Sequence, residues 1–159
     1  MDYQDVIREF AERTQKNLHA IEHLLKNGSE VYETTQLVNS MLGLLVFPRE
    51  EFVDSIPETP FTLLQRDGWP VPKVLNGFPE VKDLRELVRY LRNAIAHFNI
   101  VFLADSERQI TGLRVWNTFQ RTERKTWEAE LTLSDLRKIA ERFTNLLLED
   151  GRRTSRRCS

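Results

Sequence analysis

An arginine, an amide and a histidine fall close together in Arg92-Asn93-Ala94-Ile95-Ala96-His97. A guanidinium grips a phosphate through a planar fork of donors, an amide can orient it, and an imidazole, which titrates near neutrality, can give or take a proton. Those are the parts needed to hold a phosphate and move a proton beside it. On a helix of 3.6 residues per turn Asn93 and His97, four apart, share a face, while Arg92 is turned away from His97 by roughly 140°. The plainer alternative is a surface arginine followed by a helix-end histidine, which the helix dipole favours without any chemistry.

Other residue sets compete with this one. Tyr32, Gln36 and Asn39 fall at i, i+4 and i+7 and form a polar strip on an otherwise apolar segment. Polar groups beside a core must be hydrogen-bonded, so the strip either bonds a neighbouring helix or lines the same cleft as Asn93 and His97. Lys16, Arg89 and Arg92 could add positive charge to such a cleft, or pair with the chain's many carboxylates. His19-Ala20-Ile21-Glu22-His23 matches the H-x-x-E-H pattern of some zinc proteases, but a third protein ligand is required and nothing in the chain marks one out. The pair reads as solvated histidines, and no metal site is predicted. The basic run Arg152-Arg153-Thr154-Ser155-Arg156-Arg157 could meet a phosphate backbone, though short basic termini more often bind nothing specific. No Gly-rich phosphate loop and no nucleophile elbow is present.

The central motif sits late in Leu84–Phe98, where Leu84, Leu87, Val88, Leu91, Ile95 and Phe98 recur at helical spacing and predict an amphipathic helix with these six on its inner face. Upstream, Val6, Ile7, Phe10, Leu18, Ile21, Leu24 and Leu25 predict a long helix over residues 2–26, ended by Asn27-Gly28. Ser29 is the expected N-cap of a second helix, roughly 30–46, stopped by Pro48. Its end, Met41–Phe47, is apolar nearly all round and so should be deeply buried, with Gly43 admitting a close neighbour. All six prolines lie between 48 and 79. That stretch is read as an irregular but packed excursion, with one short helix near Pro60–Arg66, serving either as a lid or partner surface or as a cover for the open end of the core.

Past His97 the pattern changes. Ile100–Ala104, Ile110–Asn117 and Thr126–Leu133 are rich in β-branched and aromatic residues, and Trp127, Ala129, Leu131 and Leu133 alternate with Glu128, Glu130 and Thr132, the mark of a half-buried strand. A small antiparallel sheet or hairpin is predicted there. Thr132-Leu133-Ser134-Asp135 fits a capping box opening a last helix, with Leu136, Ile139, Phe143, Leu146 and Leu147 facing inward and Gly151 closing it. The expected organisation is one domain over 1–150, with the Pro-rich loop at 48–79, a β insertion at 100–133, and a disordered basic tail at 151–159.

Composition narrows the function class. At 159 residues the chain can bury a real core, and its 40% hydrophobic and 30% charged content are ordinary for a globular protein. A net charge of −1 provides no global pull on nucleic acid, so any such binding must be local. No apolar run approaches the roughly 20 residues of a membrane span, and MDYQDVIREF has no signal-peptide character. The single cysteine, Cys158, cannot form an internal disulfide. A cytoplasmic protein with no membrane partner is expected.

Arg92-Asn93-Ala94-Ile95-Ala96-His97 resembles the R-x4-6-H motif of the HEPN superfamily, including the polar residue that often follows its arginine. Thr35–Pro48 (TQLVNSMLGLLVFP) is similar to a subfamily of small stand-alone HEPN proteins of bacterial plasmids and chromosomes, and the similarity runs from about Phe10 to about Leu147. The resemblance implies a mainly helical fold: a bundle of about four helices, with the strands after His97 as an addition between the third and fourth. It implies a homodimer through the motif helix, so that two copies of the motif face one cleft and groups splayed apart on one helix converge. It further implies a metal-independent, cofactor-free endoribonuclease, acting as a toxin or in abortive infection and other phage defence. The ribose 2′-hydroxyl of an RNA substrate would attack the adjacent phosphate to leave a 2′,3′-cyclic phosphate, with His97 as general base or acid, Arg92 holding the phosphate, and Asn93 orienting it. Tyr32, Gln36, Asn39 and Arg89 are secondary candidates for substrate binding that the motif does not cover. Two further readings stay open. One is a non-catalytic HEPN dimer that binds a nucleotide, an RNA or a protein. The other is an immunity or antitoxin-like partner, since HEPN toxins are often encoded beside a nucleotidyltransferase-type antitoxin.

Overall fold

The computed structural model describes residues 3–48, 50–119 and 122–155. Four long helices make the bundle: α1 (Tyr3–Lys26), α2 (Glu33–Val46), α5 (Leu84–Ala96) and α6 (Leu133–Ser155). Two short helices, α3 (Glu50–Ser55) and α4 (Phe61–Arg66), and a two-residue strand, β1 (Lys73–Val74), lie between α2 and α5. Strands β2 (Ile100–Ala104), β3 (Ile110–Thr118) and β4 (Lys125–Thr132) follow α5. The fold is mainly helical with a small antiparallel sheet, as the resemblance implies, and three of its four strands lie between the third and fourth long helices.

The sheet order is β1-β4-β3-β2, every pairing antiparallel, so β2 is an edge strand. Leu113 and Val115 of β3 and Trp127, Ala129 and Leu131 of β4 are buried on one face, against which α5 and α6 pack. The opposite face carries the ladder Lys73–Glu130–Arg114, with Lys125 paired to Glu128. Alternation along β4 thus sorts apolar from ionic side chains, as a period of two requires. Leu37, Met41, Leu44 and Leu45 of α2, Leu87, Val88 and Leu91 of α5, and Leu136, Ile139 and Phe143 of α6 complete the core.

Local signals explain most boundaries. In α1 the N–H of Ser29 donates to the Leu24 carbonyl at 3.0 Å and that of Gly28 to Leu25 at 3.0 Å, with Gly28 at φ 79. This is a Schellman closure, and only glycine adopts that backbone without steric cost. Thr132 and Asp135 exchange bonds at the start of α6, the Asp135 N–H to Thr132 Oγ1 at 3.1 Å and the Thr132 N–H to Asp135 Oδ2 at 3.0 Å, which is the expected capping box. Gly43 sits under the Phe10 ring, where a Cβ would collide with it, so α1 and α2 approach closely there.

Several expectations are corrected. Ser29 is not the N-cap of α2: the Schellman turn takes up residues 27–29, and α2 opens at Glu33 after Tyr32, with no side-chain cap. Gly151 does not close α6, which continues to Ser155. A glycine in a helix costs only about 1 kcal/mol relative to alanine, too little to stop one by itself. Residues 156–159 lie outside the described residues. Val6, Leu24 and Leu25, expected on the inner face of α1, are each more than two-fifths exposed. Phe98, expected on the inner face of α5, is exposed for the reason given below. The Pro-rich excursion does pack down, burying Val53, Ile56, Phe61 and Leu64. It also donates β1 to the sheet, which two residues between prolines are too short to signal by alternation.

Candidate functional site

Helix α5 owes its start to Asp83, whose side chain accepts the Glu86 N–H at 2.8 Å. Its burial divides cleanly: Leu87, Val88, Leu91, Ala94 and Ile95 face the core, while Arg89, Asn93, Ala96 and His97 are exposed. Arg92 is half-buried at the border between the two. Asn93 and His97 therefore share an outward face, and Arg92 flanks it on the side turned toward the core, as the helical angle demands.

Salt links thin the positive charge along this face from its N-terminal end. Arg85 donates through Nε to the Ile56 carbonyl at 2.8 Å and pairs with Glu58 at 2.6 Å. Arg89 pairs with Asp54 of α3 at 2.9 Å. Arg89 is thus engaged by the Pro-rich excursion. No such carboxylate bonds Asn93 or His97 among the described residues.

His97 is the C-cap of α5, at φ −95 and ψ 5, and its N–H donates to the Asn93 carbonyl. That lies in the sparsely populated bridge region, where many active-site residues sit. The next residue, Phe98, takes φ 55. Its N–H donates to Ile95 at 3.0 Å and that of Asn99 to Ala94 at 2.8 Å, a second Schellman closure, here with phenylalanine where glycine is usual. The left-handed turn swings Phe98 off the apolar stripe and leaves it 73% exposed. The Asn99 carbonyl then accepts the Trp116 N–H at 3.1 Å, pinning the turn to β3. The imidazole and the phenyl ring thus project from a turn fixed at both ends. Helical periodicity could not reveal this, since it cannot tell where a helix reverses.

The polar strip on α2 behaves otherwise. Tyr32 is 74% exposed, Asn39 is exposed and Gln36 half-buried. Although α2 packs on α5, no hydrogen bond joins these three to Asn93 or His97 among the described residues. Tyr90 of α5 packs with its ring centroid 4.8 Å from that of the buried Trp127, the planes tilted by 39°, and donates to Glu86 Oε1 at 3.1 Å. Burial, reinforced by the Glu86 charge, raises its phenol above the ordinary value.

His19 lines a shallow depression between α1, α2 and α6 with Glu22, Glu33, Arg137 and Glu141, and His23 bonds Asn27 at 2.9 Å. Among the described residues no three histidine, cysteine or carboxylate side chains converge on a point that could hold a metal ion. Among them, too, no helix is long and apolar enough to cross a membrane.

A helical bundle with its arginine–histidine motif at the end of the third long helix has the form of a HEPN domain. The family model HEPN pEK499 p136 matches residues 1–154, and the chain belongs to that family. HEPN domains are associated in general with nuclease and nucleotide-binding functions, and they commonly dimerise. Neither the curated proteins nor the solved structures include a match to this chain.

Proposed function

We propose that this protein is a metal-independent endoribonuclease whose site is assembled by two copies of α5 across a two-fold axis. The observation that carries the reading is the exposed end of the motif helix, which holds Asn93 and His97 outward beside the half-buried Arg92 in a chain of HEPN membership. A symmetric partner placed on that face supplies a second Arg92 and His97, which offsets the angular separation within one helix.

In this reading one His97 takes the proton from a ribose 2′-hydroxyl. The oxygen so activated attacks the adjacent phosphorus, and the bond from phosphorus to the 5′-oxygen breaks. The second His97 returns a proton to that oxygen, leaving a 2′,3′-cyclic phosphate and a 5′-hydroxyl. Arg92 binds the phosphate oxygens and stabilises the charge that develops on them, and Asn93 orients the phosphate or the imidazole. Tyr32, Gln36, Asn39 and Arg89 are secondary candidates for RNA binding, with Arg89 also paired to Asp54 of α3. In a cell such an activity acts as a toxin or a phage-defence effector, restrained by a cognate antitoxin. The test is induced expression of wild type against His97→Ala, with growth and total RNA followed together. Wild type should arrest growth and shorten RNA, and the variant should do neither. RNA that is bound but never shortened, with growth unaffected, would instead favour a non-catalytic binding dimer.

A further inference from the structure

The residue after the motif histidine is set in a way that neither packing nor turn formation explains. Phe98 occupies the left-handed region at φ 55, which is strained for a bulky side chain. It exposes 73% of its surface, and among the described residues its ring joins none of the aromatic pairs (Phe10–Phe47, Phe52–Phe143, Tyr90–Trp127). Glycine or asparagine would make the same turn with less strain and no exposed apolar surface. Strain of this kind persists where the surroundings over-determine the backbone, and it clusters at ligand-binding positions. Here the surroundings are the bonds to Ile95 and Ala94 on one side and to β3 on the other. The ring is therefore held out by a rigid turn whose adjacent residue, with its Cα about 3.8 Å away, is His97.

We infer that Phe98 is a stacking platform for a nucleobase next to the scissile phosphate, so that the site takes single-stranded RNA with little preference for base identity. This rests on the nuclease reading. Cleavage by the 2′-hydroxyl needs the nucleotide at the scissile bond to be unstacked from its neighbours and held, and exposed aromatic rings hold unstacked bases through their faces. Every base has a π-face, so a phenyl ring, which has no hydrogen-bonding group, selects for single strands and not for sequence.

The experiment uses the full chain in a His97→Ala background, where RNA is not consumed, and measures binding of a short fluorescent single-stranded RNA of mixed sequence by anisotropy. Adding Phe98→Ala should weaken binding about 5- to 150-fold, the range for one lost base–aromatic stack. Phe98→Trp should restore it, and Phe98→Leu, apolar but without a flat face, should not. Undiminished binding by Phe98→Ala, or full binding by Phe98→Leu, overturns the platform and leaves the nuclease reading standing. Failure of the His97→Ala protein itself to bind RNA removes both. Sedimentation of the same variants gives the remaining contrast. All should keep the wild-type oligomeric state, and dissociation caused by Phe98→Ala would make the ring a subunit contact and overturn the proposal.

Discussion

The strain at Phe98 can be measured without any ligand, by comparing glycine with alanine at that position. Both substitutions remove the same ring, and since only about a quarter of its surface is covered, that loss is small, about 0.5 kcal/mol from the usual 1.5–3 kcal/mol for a fully buried apolar side chain. They differ in the backbone. Alanine keeps a Cβ and with it the left-handed cost of about 1–2 kcal/mol, whereas glycine is free of that cost but loses about 0.5–1 kcal/mol through its greater freedom in the unfolded chain. Phe98→Gly should therefore be more stable than Phe98→Ala by about 0.5–1 kcal/mol. At an exposed position inside a helix the order reverses: Ala20→Gly in α1 should cost about 1 kcal/mol. Urea midpoints at a fixed protomer concentration, with unchanged slopes, give both differences. If alanine equals or exceeds glycine at position 98, the turn is not strained, and the argument that the ring is held out at a cost fails.

Two further outcomes follow from the sheet. A Cβ at Gly112 would fall on the Leu131 carbonyl oxygen of the paired strand, a backbone group that cannot swing aside, so Gly112→Ala should destabilise by about 1–3 kcal/mol in the same denaturation assay. Hydrogen bonds from Arg114, and then from Lys73, hold the Glu130 carboxyl below the ordinary glutamate value, against a smaller opposing effect of burial. A depressed folded-state value contributes stability above the unfolded-state value and loses it as pH falls through the folded one. Glu130→Gln should therefore lower the melting temperature at neutral pH and flatten its decline at acid pH, and a decline parallel to wild type would contradict this assignment.

Much of this architecture is legible in the residues themselves, because the signals are local and redundant. Asn27-Gly28, Thr132-x-x-Asp135 and the alternation from Trp127 each specify backbone geometry within a few residues; the two caps are found where expected, and the strand ends at Thr132, with Leu133 already in α6. Ser29 and Gly151 mislead because a cap or a stop is only a preference, overridden by a neighbouring turn in one case and by continuing helix formers in the other. Phe98 misleads more instructively. Its spacing from Leu91 and Ile95 fits the apolar stripe, yet the helix ends at His97 and the chain turns left-handed to reach β2. Arg92, Asn93 and His97 were legible as a motif, but which of them faces outward depends on what the core side of α5 buries, and the engagement of Arg89 by Asp54 depends on a fold of the Pro-rich excursion that has no periodic signature.

The proposed function has paired Arg92 and His97 side chains cut RNA through its own 2′-hydroxyl. It is tested most directly by incubating the purified protein, in EDTA, with an RNA oligonucleotide and with the same oligonucleotide 2′-deoxy at the cleaved position, and by analysing the product ends. Wild type should cut only the first, leaving a 2′,3′-cyclic phosphate and a 5′-hydroxyl, and His97→Ala and Arg92→Ala should each abolish cutting while remaining folded dimers. Cleavage of the 2′-deoxy substrate, or cleavage that survives in both variants, would contradict the account.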